Sequence, residues 1–342
     1  MTVAIDKPAP ALYAQSMRKT VCFLLILALL SGACACSAPA ESGPAPKGGL
    51  RIVTTVFPVY DWVRNVVGDR VDADISMLLD SGVDLHNFQP TAQDVLKIAA
   101  CDLFLFVGGE SDRWVADALK GAGSQRLMAV NLLSELGDRA RAEEAVPGMA
   151  READAEAEEP EYDEHIWLSL KNAAYLVGVI GEKLAALDEG NAETYRANAA
   201  AYAQKLAALD EAYAQAVAQG QGRTLLFADR FPFRYLCDDY GLGYYAAFSG
   251  CSAETEASFE TVAFLAGKVD ELGLAAVLII EGGDGRIAQT IVQNTRTKDQ
   301  RILAMDSMQS VTAQNVQEGA SYLAIMERNL ATLQAALAGK ER

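Results

Sequence analysis

Residues 191–219 read NAETYRANAAAYAQKLAALDEAYAQAVAQ. The larger apolar and aromatic side chains fall at Tyr195, Tyr202, Leu206, Leu209, Tyr213 and Val217. Those steps of three, four and seven are a helix period with one stripe to bury. Alanine fills most other positions and favours helix throughout. Asn191 is placed to cap the start, and Gly220-Gln221-Gly222 supplies the stop. At 1.5 Å per residue such a helix is roughly 40 Å long, the width of a small domain. Strand and helix patterns alternate on both sides of it. The expected fold is therefore α/β: two lobes with mostly parallel sheets, joined by one long rigid helix, with a ligand in the cleft between them.

Working outward, the first lobe is assigned to residues 50–190 and the second to 220–342. Apolar, β-branched runs at 50–56, 71–79, 102–107 and 126–130 read as strands, with helix patterns between them. In the second lobe the strand-like runs are 224–228, 244–248, 275–281 and 301–305, each followed by a helix pattern. Residues 137–164 differ in kind, being crowded with acids and poor in large apolar residues. Such composition suggests a mobile loop without a core of its own.

At the start of the chain, Met17-Arg18-Lys19 and the apolar run 21–30 resemble a signal peptide whose true start is Met17. That run is too short to span a bilayer. Cys34 and Cys36 each follow small residues and are alternative lipid-attachment sites, so residues 1–36 are assigned as signal peptide and lipobox. Residues 37–49, rich in Pro, Ala and Gly, then form a flexible tether. Cys101, Cys237 and Cys251 lie beyond it without metal-finger spacing. A Cys237–Cys251 disulfide and buried thiols are both compatible with the sequence. The formal net charge of −17 excludes a nucleic-acid partner and suits cations.

The chain has two histidines, and both sit where a site would be. His86 follows the second strand pattern, and His165 precedes the helices that join the lobes. Ligands of open α/β sheets bind beyond the carboxyl ends of the strands. Asp229, Glu281, Asp284 and Asp306 lie at such ends. Two imidazoles with one or two carboxylates make a first shell for Zn²⁺ or Mn²⁺. By spacing alone, strand-end aspartates could equally cap the following helices.

A resemblance sharpens this. Thr54-Thr55-Val56-Phe57-Pro58-Val59-Tyr60 with Gly68-Asp69-Arg70-Val71 resembles the opening of the zinc/manganese-binding lipoproteins of metal ABC importers. Gly82-Val83-Asp84-Leu85-His86, with Phe88 and Pro90, is similar to their first ligand motif, and Val107-Gly108-Gly109 with Trp114 continues it. Glu164-His165-Ile166-Trp167-Leu168-Ser169 with Asn172-Ala173 is similar to the second, and Asp306-Ser307-Met308 to the segment with the last ligand. Tyr322, Met326 and Asn329 match the final helix. The resemblance implies an extracytoplasmic, lipid-anchored, monomeric solute-binding protein. It would capture Zn²⁺ or Mn²⁺ through His86, His165 and Asp306 and deliver the ion to a membrane permease, with no catalytic residue. A surface-adhesin role is compatible with it.

One position departs from the pattern. The family's third ligand is a His or Glu, and counting back from Phe233-Arg234-Tyr235 puts Arg230 there. Arg offers no lone pair to a cation. Asp229, one residue earlier, is the candidate replacement, with Glu281 next. The alternative is that Asp229 pairs with Arg230 or caps a helix. Two rival functions stand beside the carrier: a secreted metal-dependent hydrolase with Glu281 or Asp284 as base, and a binder of a metal chelate such as a siderophore.

Overall fold

The computed structural model describes residues 49–339 except 70, 122–126, 145, 150–160 and 251–255. The expected signal peptide, the expected tether up to residue 48, and Cys34, Cys36 and Cys251 lie outside the described residues. Strand β1 (Leu50–Thr54) runs into helix α1 (Phe57–Val67), which has Pro58 in its first turn, and returns as β2 (Ala73–Met77). Helix α2 (Ala92–Ala100) is opened by Thr91 and Asp94, each accepting the other's backbone N–H. It is followed by β3 (Leu103–Phe106), α3 (Val115–Gly121), β4 (Met128–Asn131) and α4 (Leu132–Leu136). The sheet order is β2-β1-β3-β4 and every pairing is parallel.

Helices α5 (Leu170–Leu187) and α6 (Ala192–Gln219) come next. All six residues of the expected stripe on α6 are buried. Asn191 does not cap α6 with its side chain; its amide instead donates to Asp188 Oδ2 at 2.7 Å. Gly220 ends the helix, its N–H donating to Ala216 O at 3.0 Å. The helix is bound along its length rather than spanning open space. Tyr202 Oη donates to Asp61 Oδ2 of α1 at 3.1 Å, and Asn198 Nδ2 to Val66 O at 3.0 Å.

The second half repeats the first. Strand β5 (Thr224–Phe231), helix α7 (Arg234–Tyr240), β6 (Gly243–Ser249), α8 (Phe259–Leu272), β7 (Ala276–Ile280), α9 (Arg286–Gln293) and β8 (Arg301–Met305) lead to α10 (Ala313–Gln317) and α11 (Tyr322–Leu337). The order is β6-β5-β7-β8, again all parallel. Tyr213 Oη of α6 donates to Met326 O of α11 at 2.7 Å. One apolar cluster includes Trp62 and Leu105 from the first half, Tyr202 from α6, and Phe227 and Met305 from the second. The lobes therefore share a core, and residues 49–342 form one compact unit. A second cluster, with Leu226, Phe248, Leu265 and Val277, packs α8 and α9 on the far sheet. An antiparallel bridge between Ser81 and Thr312 joins the halves directly.

Of the acidic segment, residues 145 and 150–160 lie outside the described residues, and the parts on either side are held in place. Its base is a strap, held by a bridge between Ala142 and Tyr162 and by Glu143 N donating to Glu161 O at 2.7 Å. It lies on the second lobe: Arg141 N donates to Tyr235 Oη at 3.0 Å, and Glu144 pairs with Arg234 at 3.1 Å. Met149 is buried. Average composition missed this because a few acids have dedicated partners across the cleft. Cys101 and Cys237 are free and buried. Burial pushes the Cys101 thiol up to about 12, which makes it a poor nucleophile or ligand.

Candidate metal centre

Two short turns carry the histidines. After β2, Gly82 takes φ +78° and redirects the chain. Asp84 Oδ1 then accepts the His86 N–H at 3.0 Å, which caps the 3₁₀ turn Leu85–Asn87. At the second site Asp163 Oδ1 accepts the His165 N–H at 2.8 Å, ahead of the turn Ile166–Leu168. The same Asp-x-His device is used twice.

The two rings meet with Nε2 to Nε2 at 3.3 Å. Their other nitrogens are engaged. His165 Nδ1 lies 2.8 Å from Asp163 Oδ1, and His86 Nδ1 lies 2.8 Å from Ser111 Oγ and 3.5 Å from Glu164 Oε2. The Asp163 carboxylate beside His165 Nδ1 holds a proton there, which leaves the His165 Nε2 lone pair facing the His86 ring. A proton on His86 Nε2 joins the two nitrogens in a hydrogen bond, and a cation that displaces it would find both nitrogens facing it. Glu164 is held by Ser111 N, which donates to its Oε1 at 2.8 Å. Gly109 makes room for it: a Cβ there would stand 2.3 Å from Glu164 Oε1.

Electrostatics separates the pair. Burial, together with the neighbouring His165, lowers His86 to about 4. Burial also works against charge on His165, but the Asp163 carboxylate outweighs it and raises the pKa. A proton therefore rests more readily on His165. Asp84, Asp163 and Glu164 give three carboxylates around the rings against one guanidinium, Arg230, an excess that favours a dication.

The second lobe brings its groups less directly. Arg230 Nη2 donates to Asp84 Oδ2 at 2.7 Å, so it pairs across the cleft and not with Asp229. Burial opposes charge on Asp84, yet Arg230 and the His86 N–H hold its pKa down. Asp229 accepts from Arg230 N at 2.9 Å and from Ile280 N at 3.3 Å. The register between β5 and β6 shifts between Phe227 and Arg230, which re-aims both residues. Asp306 Oδ1 accepts from Met308 N at 2.8 Å. Burial raises the pKa of Asp229, Asp306 and Glu281, with the Asp306 charge adding to the last. Asp284 is fully exposed and paired with Arg286. The structure thus brings His86 and His165 together. It leaves Asp229 and Asp306 at the strand ends in their own hydrogen bonds. Among the described residues, no three His, Cys, Asp or Glu side chains gather closely enough to hold a metal ion. Sequence reasoning missed Asp163 and Ser111 as orienting partners and the Asp84–Arg230 pair. The repeated Asp-x-His spacing was the available signal for Asp163.

Two parallel sheets of identical strand order, a shared helix and paired imidazole nitrogens define a solute-binding protein of the α/β class. The chain belongs to the family described as ZnuA, zinc-uptake complex component A, periplasmic, which it matches over residues 52–336. It is 28% identical over 336 residues to the zinc-binding protein AdcA of Streptococcus pyogenes serotype M3, covering 95% of this chain and 63% of that protein. The chain therefore spans less than two thirds of the AdcA length. The high-affinity zinc uptake system protein ZnuA of Bacillus subtilis is 27% identical over 92% of this chain and 95% of its own length. The crystal structure of the Zn(II)-bound ZnuA-like domain of Streptococcus pneumoniae AdcA superposes with a TM-score of 0.67 at 29% identity, covering 85% of this chain and all of that one. Among the described residues no helix is long and apolar enough to cross a membrane.

Proposed function

We propose that this protein is the extracytoplasmic metal-capturing component of an ABC importer and that Zn²⁺ is its cargo. The observation that carries the proposal is the pair of His86 and His165 Nε2 atoms facing each other at 3.3 Å. Zinc would take both nitrogens, with Asp306 and Asp229 supplying carboxylate oxygens as the second lobe adjusts around the ion. Two nitrogens with two oxygens also admit Mn²⁺, but Zn²⁺ binds the tighter of the two by the Irving–Williams order. Names of relatives in three bacteria support zinc. A relative from Streptococcus pneumoniae is named a lipoprotein, which supports anchoring of this chain through Cys34 or Cys36. Delivery is to a membrane permease, with the carrier acting as a monomer. No chemical step is needed: a binding protein fills its metal's coordination sphere, whereas a hydrolase keeps a position open.

Metal analysis of protein purified without chelators, together with zinc titration followed by thermal unfolding, tests this. Zinc should raise the melting temperature by mass action in proportion to the logarithm of its concentration. A wild-type protein whose unfolding ignores both zinc and manganese would refute the assignment. Replacing Cys34 and Cys36 together with Ser should release the protein from the membrane fraction.

A further inference from the structure

We infer that Glu281 is a positioning residue for the metal site: its carboxylate holds the turn that carries Asp306 and is not itself a ligand. The inference rests on the assignment of Asp306 as a cargo ligand. Glu281 stands at the carboxyl end of β7, one strand away from β8 and Asp306. Its Oε2 accepts the Ser307 N–H at 2.6 Å. Its Oε1 accepts Ser307 Oγ at 2.7 Å, Gln309 N at 3.3 Å and Ser310 Oγ at 3.4 Å. Both oxygens are thus committed to three of the four residues that follow Asp306. Turning either toward a metal would strand buried N–H groups of Ser307 and Gln309, which fold only with partners.

The held turn is unusual in a way that matters for Asp306. Met308 takes φ +63°, a conformation that a residue with a side chain keeps only when its surroundings over-determine it. In that conformation the Met308 N–H reaches Asp306 Oδ1 at 2.8 Å and fixes the carboxylate's rotation. Behind it, Asn329 of α11 clamps the Asp306 backbone on both sides, its Oδ1 accepting the N–H and its Nδ2 donating to the carbonyl, each at 2.8 Å. Glu281 is the group that ties the front of this turn to the sheet. It also links the turn to the first lobe, because Ser307 O accepts Trp167 Nε1 at 2.8 Å and the Trp167 ring lies edge-on to His165. To work as a general base, Glu281 would have to give up the hydrogen bonds that hold this turn.

A double-mutant cycle tests this, with zinc affinity measured by competition against a chromophoric chelator. Glu281→Ala should weaken zinc binding by up to about tenfold, the low end of the usual effect of losing a partner behind a ligand and no more than the loss of Asp306 itself. Glu281→Gln should lose less, since the amide oxygen still serves Ser307 N while Ser307 Oγ can turn to accept. In an Asp306→Ala background, Glu281→Ala should change affinity by less than about twofold, because the residue it positions is gone. An equal loss in both backgrounds would show a general structural role and overturn the inference, as would wild-type affinity in Glu281→Ala. If Asp306→Ala itself binds zinc normally, the ligand assignment fails first and the inference falls with it. That pattern is distinct from normal binding by Glu281→Ala beside a weakened Asp306→Ala. Should Glu281→Ala fail to fold, Ser307→Ala removes one of the four donors and should give a smaller loss with the same dependence on Asp306.

Discussion

The two halves of the molecule have the same strand order and opposite chemistry. The first presents two imidazoles already turned toward each other, one oriented by Asp163 and the other by Ser111, so their nitrogens are placed before any ion arrives. The second presents carboxylates that are already spent on backbone N–H groups, and an arginine where a donor would stand. Topology has been duplicated, whereas the site is divided into a prepared half and a recruited half. The difference predicts an unequal response to substitution. His86→Ala or His165→Ala should abolish the thermal shift with zinc and weaken binding by at least about a hundredfold, roughly 2.7 kcal/mol. Asp229→Ala and Asp306→Ala should each cost about tenfold, and Arg230→Ala should leave binding intact. Equal losses at all four ligand positions would erase the distinction between the halves.

The comparison can also be evened out. Arg230→His would remove the pair with Asp84 and place a third imidazole at the end of β5. Zinc affinity should rise by about tenfold or more, since 1.4 kcal/mol suffices for that factor. Calorimetry of this variant, with Arg230→Gln as the control that loses the charge without gaining a donor, checks it. A rise in both variants would assign the effect to charge alone.

Much of this was legible in the sequence, and the exceptions have physical causes. The stripe from Tyr195 to Val217 gave the central helix because one buried face imposes a period that no other element imitates. The histidines were legible as a pair because they are the only two in the chain, one after the second strand and the other before the helices that join the lobes. The aim of Asp229 and Arg230 was not legible. A register shift within one strand decides which of two adjacent residues points across the cleft, and no periodicity records a shift of one. Glu281 looked like a spare ligand because its partners, Ser307, Gln309 and Ser310, are far away in sequence. The strap was hidden for a similar reason: Glu144 and Arg234 are ninety residues apart, as counted from their numbers.

Acid should probe the prepared half selectively. Asp163 raises the pKa of His165, so a proton competes with zinc there. Below that raised value, zinc affinity should fall by up to about tenfold for each pH unit, and above it the dependence should vanish. The metal-free fold behaves differently. His86, lowered from 6.5 to about 4, contributes stability that is present above pH 6.5 and lost as pH falls toward 4. His165 contributes in the opposite sense, with stability that is full at low pH and lost as pH rises through its folded value. The metal-free melting temperature should therefore be only weakly dependent on acid from this pair, while the increment due to zinc shrinks. Melting curves from pH 4 to 8, with and without zinc, measure both. An increment that survives at pH 4 would mean that the imidazoles do not hold the ion.

The smallest expected effects belong to the strap, which connects the two halves without touching their difference. Met149 is buried, and Met149→Ala should destabilise the metal-free protein by about 2 kcal/mol, at the low end for a buried large-to-small change. Glu144 is more than half exposed in its pair with Arg234, and exposed pairs contribute less than about 1 kcal/mol. Glu144→Ala should accordingly shift a denaturation midpoint slightly at low salt and not at all in high salt, where the pair is screened. Zinc affinity separates the strap's possible roles. The strap adjoins Asp163 through Asp163 N, which donates to Arg141 O at 2.8 Å, yet the polar partners of Met149 and Glu144 are Val146, Tyr244 and Arg234, not the histidines. Both substitutions should therefore leave zinc affinity within about twofold once folding is complete. A tenfold loss in Glu144→Ala, at a salt concentration where its stability matches wild type, would move the strap from the scaffold into the binding site.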